Sequence, residues 1–239
     1  MTEGTGTYFG NEDPLKQHAS SAKPPKFDLI VDLPERLLPS FNNVATFAAT
    51  HIAADQTPVQ ATSTPAPGQV APAAPVHFIW NDFRDSITTR PGTDIAFDRV
   101  QSTTIHAEDN TPAVLAAKVT EFVGNSFSAV PREELAKHVG RAFSDPAKDI
   151  SKGVLTKMAS HDQAKGLDKT GWEYRLICAY PNADLPDHFY SLVTTIKYTD
   201  EAQKKSGVLG MGGSVKHSYS VDVIAMQVAV EKGFVGDTF

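Results

Sequence analysis

The chain has one cysteine in 239 residues, Cys178, so no intramolecular disulfide can form. That scarcity suits a reducing compartment and does not exclude export. Cys178 lies inside the apolar run Arg175-Leu176-Ile177-Cys178-Ala179-Tyr180, which points to a buried, inert thiol. Basic residues are outnumbered, and the net charge of −6 argues against a nucleic-acid partner, which needs a basic face to displace counterions. It argues equally against charge-driven binding to anionic lipid. No window approaches the roughly 18 apolar residues of a spanning helix. The first residues, Met1-Thr2-Glu3-Gly4-Thr5-Gly6, have neither a basic start nor an apolar stretch. A Sec-type signal peptide is therefore not expected, and the expectation is a water-soluble chain, cytoplasmic or released.

Catalytic signatures are also missing. Eight histidines, at 18, 51, 77, 106, 138, 161, 188 and 217, form no helical pair at three- or four-residue spacing, so no metal site is expected. The run Gly207-Val208-Leu209-Gly210-Met211-Gly212-Gly213 lacks the preceding strand and following helix of a dinucleotide fingerprint. It reads as a loop between strands. Gly124-Asn125-Ser126-Phe127-Ser128 lacks the closing glycine of a nucleophile elbow and follows a helix. His106-Ala107-Glu108-Asp109 has the residue types of an acid/base pair, yet solvated residues before a helix explain it as well. The expectation is a protein that is not an enzyme, with no catalytic residue, metal or cofactor.

What is present is a sequence of elements. Residues 1–25 are polar with Gly, Ser and Pro, and read as a flexible leader. Residues 26–239 read as a single domain. Phe27-Asp28-Leu29-Ile30-Val31 is a short strand. Pro34 suits the first turn of a helix, and Leu37, Leu38, Phe41, Val44, Ala45, Ala48 and Ile52 recur at helical spacing, with Pro39 marking a kink or the true start. Thr57–Pro75, with five prolines among Ala, Thr and Gln, is an extended loop inserted in the domain. Val76–Ile87 and Thr93–Ile105 read as strand or irregular segments. Thr111-Pro112 opens a helix, Pro131 with Glu133 and Glu134 a second, and Asp145-Pro146 a third lined by Ile150, Val154, Leu155 and Met158.

Beyond these helices the period changes to two. Trp172, Tyr174, Leu176, Cys178 and Tyr180 alternate with Glu173 and Arg175. Tyr190, Leu192, Ile196 and Tyr198 alternate with Ser191, Thr195 and Lys197, and Tyr219, Val221, Val223 and Ala225 with Ser218, Ser220 and Asp222. Three antiparallel strands follow from that pattern. The last turns apolar on both faces at Ile224, Met226, Val228 and Val230, which implies a sheet between two layers. The fold class is therefore α/β (α+β), a three-layer single domain.

This order of elements resembles the cytolytic Cyt-type δ-endotoxins and the related fungal volvatoxin-type cytolysins. The resemblance runs from about Lys26 to Val230. It rests on Phe27–Glu35 as first strand and helix, on Pro112–Phe127 with Pro131–Phe143 as a helical hairpin, on Gly171–Asn182 as the first long strand after the helices, and on Ser218–Val223 as the last. It implies a mostly antiparallel sheet wrapped by helical layers, and a membrane-permeabilising activity in which the protein binds lipid, rearranges and forms a homo-oligomer on the target-cell membrane. Within it, the apolar sides of two strands of membrane-crossing length become the expected lipid contacts: Tyr190, Leu192, Ile196, Tyr198, Tyr219, Val221, Val223 and Ala225. The sheet half, residues 171–230, would make the deep contact while the helices peel aside. The alternative reading is a small-ligand-binding protein or an enzyme with a dispersed site.

Overall fold

A computed structural model describes residues 26–54, 75–107, 111–162, 167–205 and 214–236. The leader, nearly all of the Pro/Ala-rich stretch, Glu108 with Asp109, and the glycine run lie outside the described residues.

Strand β1 (Asp28–Val31) leads through a 3-10 turn (Glu35–Leu37) into α1 (Leu38–Thr50). The helix starts where Pro39 falls in its first turn, so its missing N–H costs no bond. Then come β2 (Ile52–Ala54), β3 (Val76–Phe78), α2 (Trp80–Thr88) and β4 (Ile95–Ala107). Helices α3 (Pro112–Ser126), α4 (Arg132–Ser144) and α5 (Pro146–Ser151) precede four strands, β5 (Leu155–Asp162), β6 (Leu167–Pro181), β7 (His188–Lys205) and β8 (Ser214–Glu231).

The main sheet runs β1-β6-β7-β8-β4, with β5 also paired to β6. β1 lies parallel to β6 at 176–179, and β5 lies antiparallel to it at 167–174, so the two short strands share one flank of β6. Every other pairing is antiparallel, as the alternation implied. The sheet carries a core on each face. Helices α3 and α4 pack Leu115, Val119, Val123, Leu135 and Val139 onto Tyr174, Leu176, Leu192, Ile196, Val221 and Val223. Helix α1 and α2 pack Phe41, Val44, Phe47, Phe83 and Ile87 onto Ile177, Ala179, Val193, Met226 and Val228. Three layers result.

Two sequence expectations need correction. Val76–Ile87 is not extended throughout: β3 ends at Phe78 and Trp80–Thr88 is helical. Only Phe83 and Ile87 are buried in α2, too few to mark a period, and the turn is held by an aromatic cluster in which Phe83 lies 5.3 Å from Phe78 and 5.8 Å from Phe47. The third helix also stops early, at Ser151. Gly153 takes a left-handed φ of 74°, its N–H bonds Ile150 O, and the Val154 N–H bonds Asp149 O. This is the Schellman closure that ends a helix. Leu155 and Met158 therefore belong to β5, where their spacing mimicked a helical stripe.

The long strands outrun the apolar alternation. β7 and β8 stay paired from His188↔Glu231 to Lys205↔Ser214, so the charged stretch Asp200–Lys205 is strand and the glycine run connects an antiparallel pair.

Candidate membrane-active face

Strand alternation puts Tyr190, Leu192, Ile196 and Tyr198 of β7 and Tyr219, Val221, Val223 and Ala225 of β8 on one face, beneath α3 and α4. Leu192, Ile196, Val221, Val223 and Ala225 are buried, and the three tyrosines are partly buried at the margins. All eight sequence-designated residues thus come together. β6 extends the same face with Trp172, Tyr174, Leu176, Cys178 and Tyr180.

The aromatic residues of this face are not scattered. At one end Trp172 stacks on Tyr198 at 5.4 Å, Tyr198 on Tyr219 at 6.2 Å, and Phe143 of α4 caps Trp172 edge-on at 4.9 Å. At the other end Tyr180 and Tyr190 sit opposite one another with rings 5.9 Å apart. Between these ends the face carries mainly Leu, Ile, Val, Ala and Cys, with Tyr174, Thr194 and Gln227 set among them. Burial pushes the Tyr198 hydroxyl up to about 12 and the Cys178 thiol up to about 12, so the thiol is a packing group and no nucleophile.

A polar cluster pins the helical layer to the sheet. Asp28 of β1 accepts hydrogen bonds from the Tyr174 hydroxyl at 2.6 Å and from Arg141 of α4, and lies 2.6 Å from His138 Nδ1. Arg141 Nε also bonds the buried Asp149 of α5 at 3.1 Å. Burial alone would raise the Asp28 pKa. The hydrogen bonds from His138 and Tyr174, with the charges of His138 and Arg141, reverse that and hold the carboxyl well below the usual carboxylate range. The partners are 110, 113 and 146 positions from Asp28, so no local motif announced the cluster.

The sign of the shift fixes the pH dependence. A depressed folded pKa means Asp28 stabilises the fold fully above its ordinary value of 3.8, and that contribution is lost as pH falls further, through the folded value. Asp28→Asn should cost about 3 kcal/mol at pH 6, the scale of breaking a buried charge pair. The gap in urea midpoint between wild type and variant should close as solutions become more acidic than 3.8. A gap unchanged down to pH 2 would mean the carboxylate charge contributes nothing.

The reverse face of the same strands differs. Beside the start of α2 it forms an open concavity of about 1040 Å³ lined by Trp80, Thr104, Glu173, Thr195, Lys197 and Asp222, among others. Trp80 Nε1 donates to Thr195 Oγ1 at 3.0 Å, and Thr104 donates to Asp222 at 2.7 Å. Glu173 and Arg175, the polar members of the β6 alternation, are buried on this side: Glu173 bonds the Phe78 N–H at 3.0 Å and lies 3.0 Å from His77 Nδ1.

This arrangement, a mostly antiparallel sheet between two helical layers with an aromatic-bounded apolar face, is a Cyt-type toxin fold. The fold is shared with a δ-endotoxin of known structure, over 100% of this chain and 92% of that one, with a TM-score of 0.58 and 10% identity. It is shared also with the activated Cyt2Ba monomer from Bacillus thuringiensis subsp. israelensis, over 86% and 98% of the two chains, with a TM-score of 0.53 and 10% identity. No family model matches the sequence, and no curated protein matches it either.

Proposed function

We propose that the protein permeabilises membranes: it folds in water with its apolar sheet face covered, binds lipid, releases α3 and α4, inserts the β6–β8 face and assembles with further copies. The observation that carries this reading is the spacing of the aromatic ends. Trp172 and Tyr180 are eight positions apart along the strand, and so are Tyr190 and Tyr198. At the usual strand rise that is about 27 Å. With the 35–45° tilt of membrane barrels it covers roughly 21 Å of depth, just under the ~25 Å apolar band that such barrels place between two aromatic girdles. The helices are poor spanning elements, since no helix among the described residues is long and apolar enough to cross.

Assembly follows from the sheet edges. The outer edge of β4 has no strand partner among the described residues. Hydrocarbon offers no hydrogen bonds to an open edge, and a sheet of this width is too narrow to close on itself, so inserted copies must pair edge to edge. The proposal assigns the chain no catalytic role.

The test is dye release from liposomes of zwitterionic lipid. Release is expected, and added salt should weaken it only slightly, because a chain of net charge −6 gains little from charge attraction. Intact liposomes across all lipid mixtures would sink the proposal. Release that collapses at moderate salt would replace apolar insertion with binding through a local basic patch.

A further inference from the structure

One end of the reverse face of the inserting strands carries the charged and polar side chains that a water-filled channel requires. Glu173 of β6 pairs in register with Lys197 of β7, Lys197 with Asp222 of β8, and Asp222 with Thr104 of β4. One rung thus crosses four neighbouring strands as Glu, Lys, Asp, Thr. The next rung toward the β7–β8 connection adds Thr199 and Ser220, again paired in register. Lys197 is exposed, and Asp222 and Ser220 are partly so. Helices α1 and α2 cover the other end of this face, where it is apolar at Ile177, Val193 and Met226; the start of α2 reaches the rim of the polar end, where Trp80 bonds Thr195, and Glu173 lies buried under Phe78 of β3.

Position along the strand separates a channel wall from ordinary wet surface. Glu173 adjoins Trp172 and Lys197 adjoins Tyr198, each on the inner side of the aromatic end. If that stacked pair marks the edge of the hydrocarbon, the charged rung lies within it. A charge at that depth is costly toward lipid and acceptable toward water. Strands that alternate apolar outward and polar inward meet both demands at once.

We infer that this polar half-face, centred on the Glu173–Lys197–Asp222–Thr104 rung, forms the ion-conducting wall of the assembled pore, and that Lys197 and Asp222 set which sign of small inorganic ion passes more easily. The inference rests on the pore-forming reading above.

Planar bilayers under a potassium chloride gradient test it through the reversal potential. Lys197→Glu should shift selectivity toward cations and Asp222→Lys toward anions. A milder variant guards against misfolding. In a Cys178→Ser background, Ser220→Cys is modified after pores have opened, by a cationic or an anionic methanethiosulfonate reagent. The two reagents should move the reversal potential in opposite directions, while the same treatment of Val221→Cys should move it in neither. Open pores whose reversal potential ignores Lys197, Asp222 and modified Ser220 overturn the wall assignment and leave the pore intact. A wild-type chain that never conducts removes the pore reading and this inference together.

Discussion

Arg175→Ala should lower stability by about 4 kcal/mol, the scale of stripping one partner from a buried charge pair. Arg175 is fully buried on β6. Its guanidinium donates to Lys26 O at 3.1 Å, Val76 O at 3.3 Å, Gly153 O at 2.9 Å, Thr156 Oγ1 at 3.0 Å and Glu173 Oε1 at 3.2 Å. These acceptors belong to the segment before β1, to β3, to the α5–β5 turn, to β5 and to β6. One side chain therefore ties five parts of the chain at the join between β1 and β5. Burial lowers its pKa, and the charge and hydrogen bond of Glu173 oppose that. Truncation orphans the acceptors and leaves Glu173, only 6% exposed, without its cation. Domains have about 5–15 kcal/mol in hand, so the loss takes a large share. Urea unfolding measures it. Arg175→Met, which keeps most of the volume, should lose nearly as much, because the cost is polar. Less than 1 kcal/mol for both variants would show that water serves these groups equally well.

Legibility from sequence followed the physics of each element. The face carrying Leu192, Ile196, Val221 and Val223 was readable because a strand with one covered face must alternate. The apolar alternation of β7 stops at Tyr198 because Asp200–Lys205 carries charge, and cross-strand partners such as Lys169 for Glu201 appear only once the sheet exists. Glu173 and Arg175 had the alternation of a wet face. They are buried because β3 and the approach to β1 close over them, a tertiary fact with no period. The Asp28 cluster was invisible for the same reason. Gly153 was different: a glycine following a helix is a stop signal, and it would have separated α5 from β5. The face under α3 and α4 was legible as two apolar stripes. Its aromatic ends acquired meaning only when registry set Trp172 beside Tyr198 and Tyr180 beside Tyr190.

Tying α3 to the sheet should reduce dye release to the leakage of untreated liposomes. Arg99 of β4 donates from Nη1 to Ser126 O at the end of α3, at 3.1 Å, on the exposed side and away from the Asp28 cluster. Cysteines at 99 and 126, with Cys178→Ser, can be bridged by a short bifunctional maleimide that carries an internal disulfide. The apolar face cannot meet lipid while α3 remains on it. Leu115, Val119, Val123, Leu135 and Val139 of the two helices are buried against the sheet, each worth about 2 kcal/mol, or roughly 10 kcal/mol together. Water alone does not release such a layer; an apolar surface that replaces it can. A covalent bridge blocks the exchange without altering either apolar face. Reducing the linker should restore release in the same sample, which separates restraint from damage. Each single-cysteine variant carrying the same reagent should lyse like the parent. Undiminished release from the fully bridged protein would show that α3 stays on the sheet during lysis, and another surface would then have to enter the bilayer.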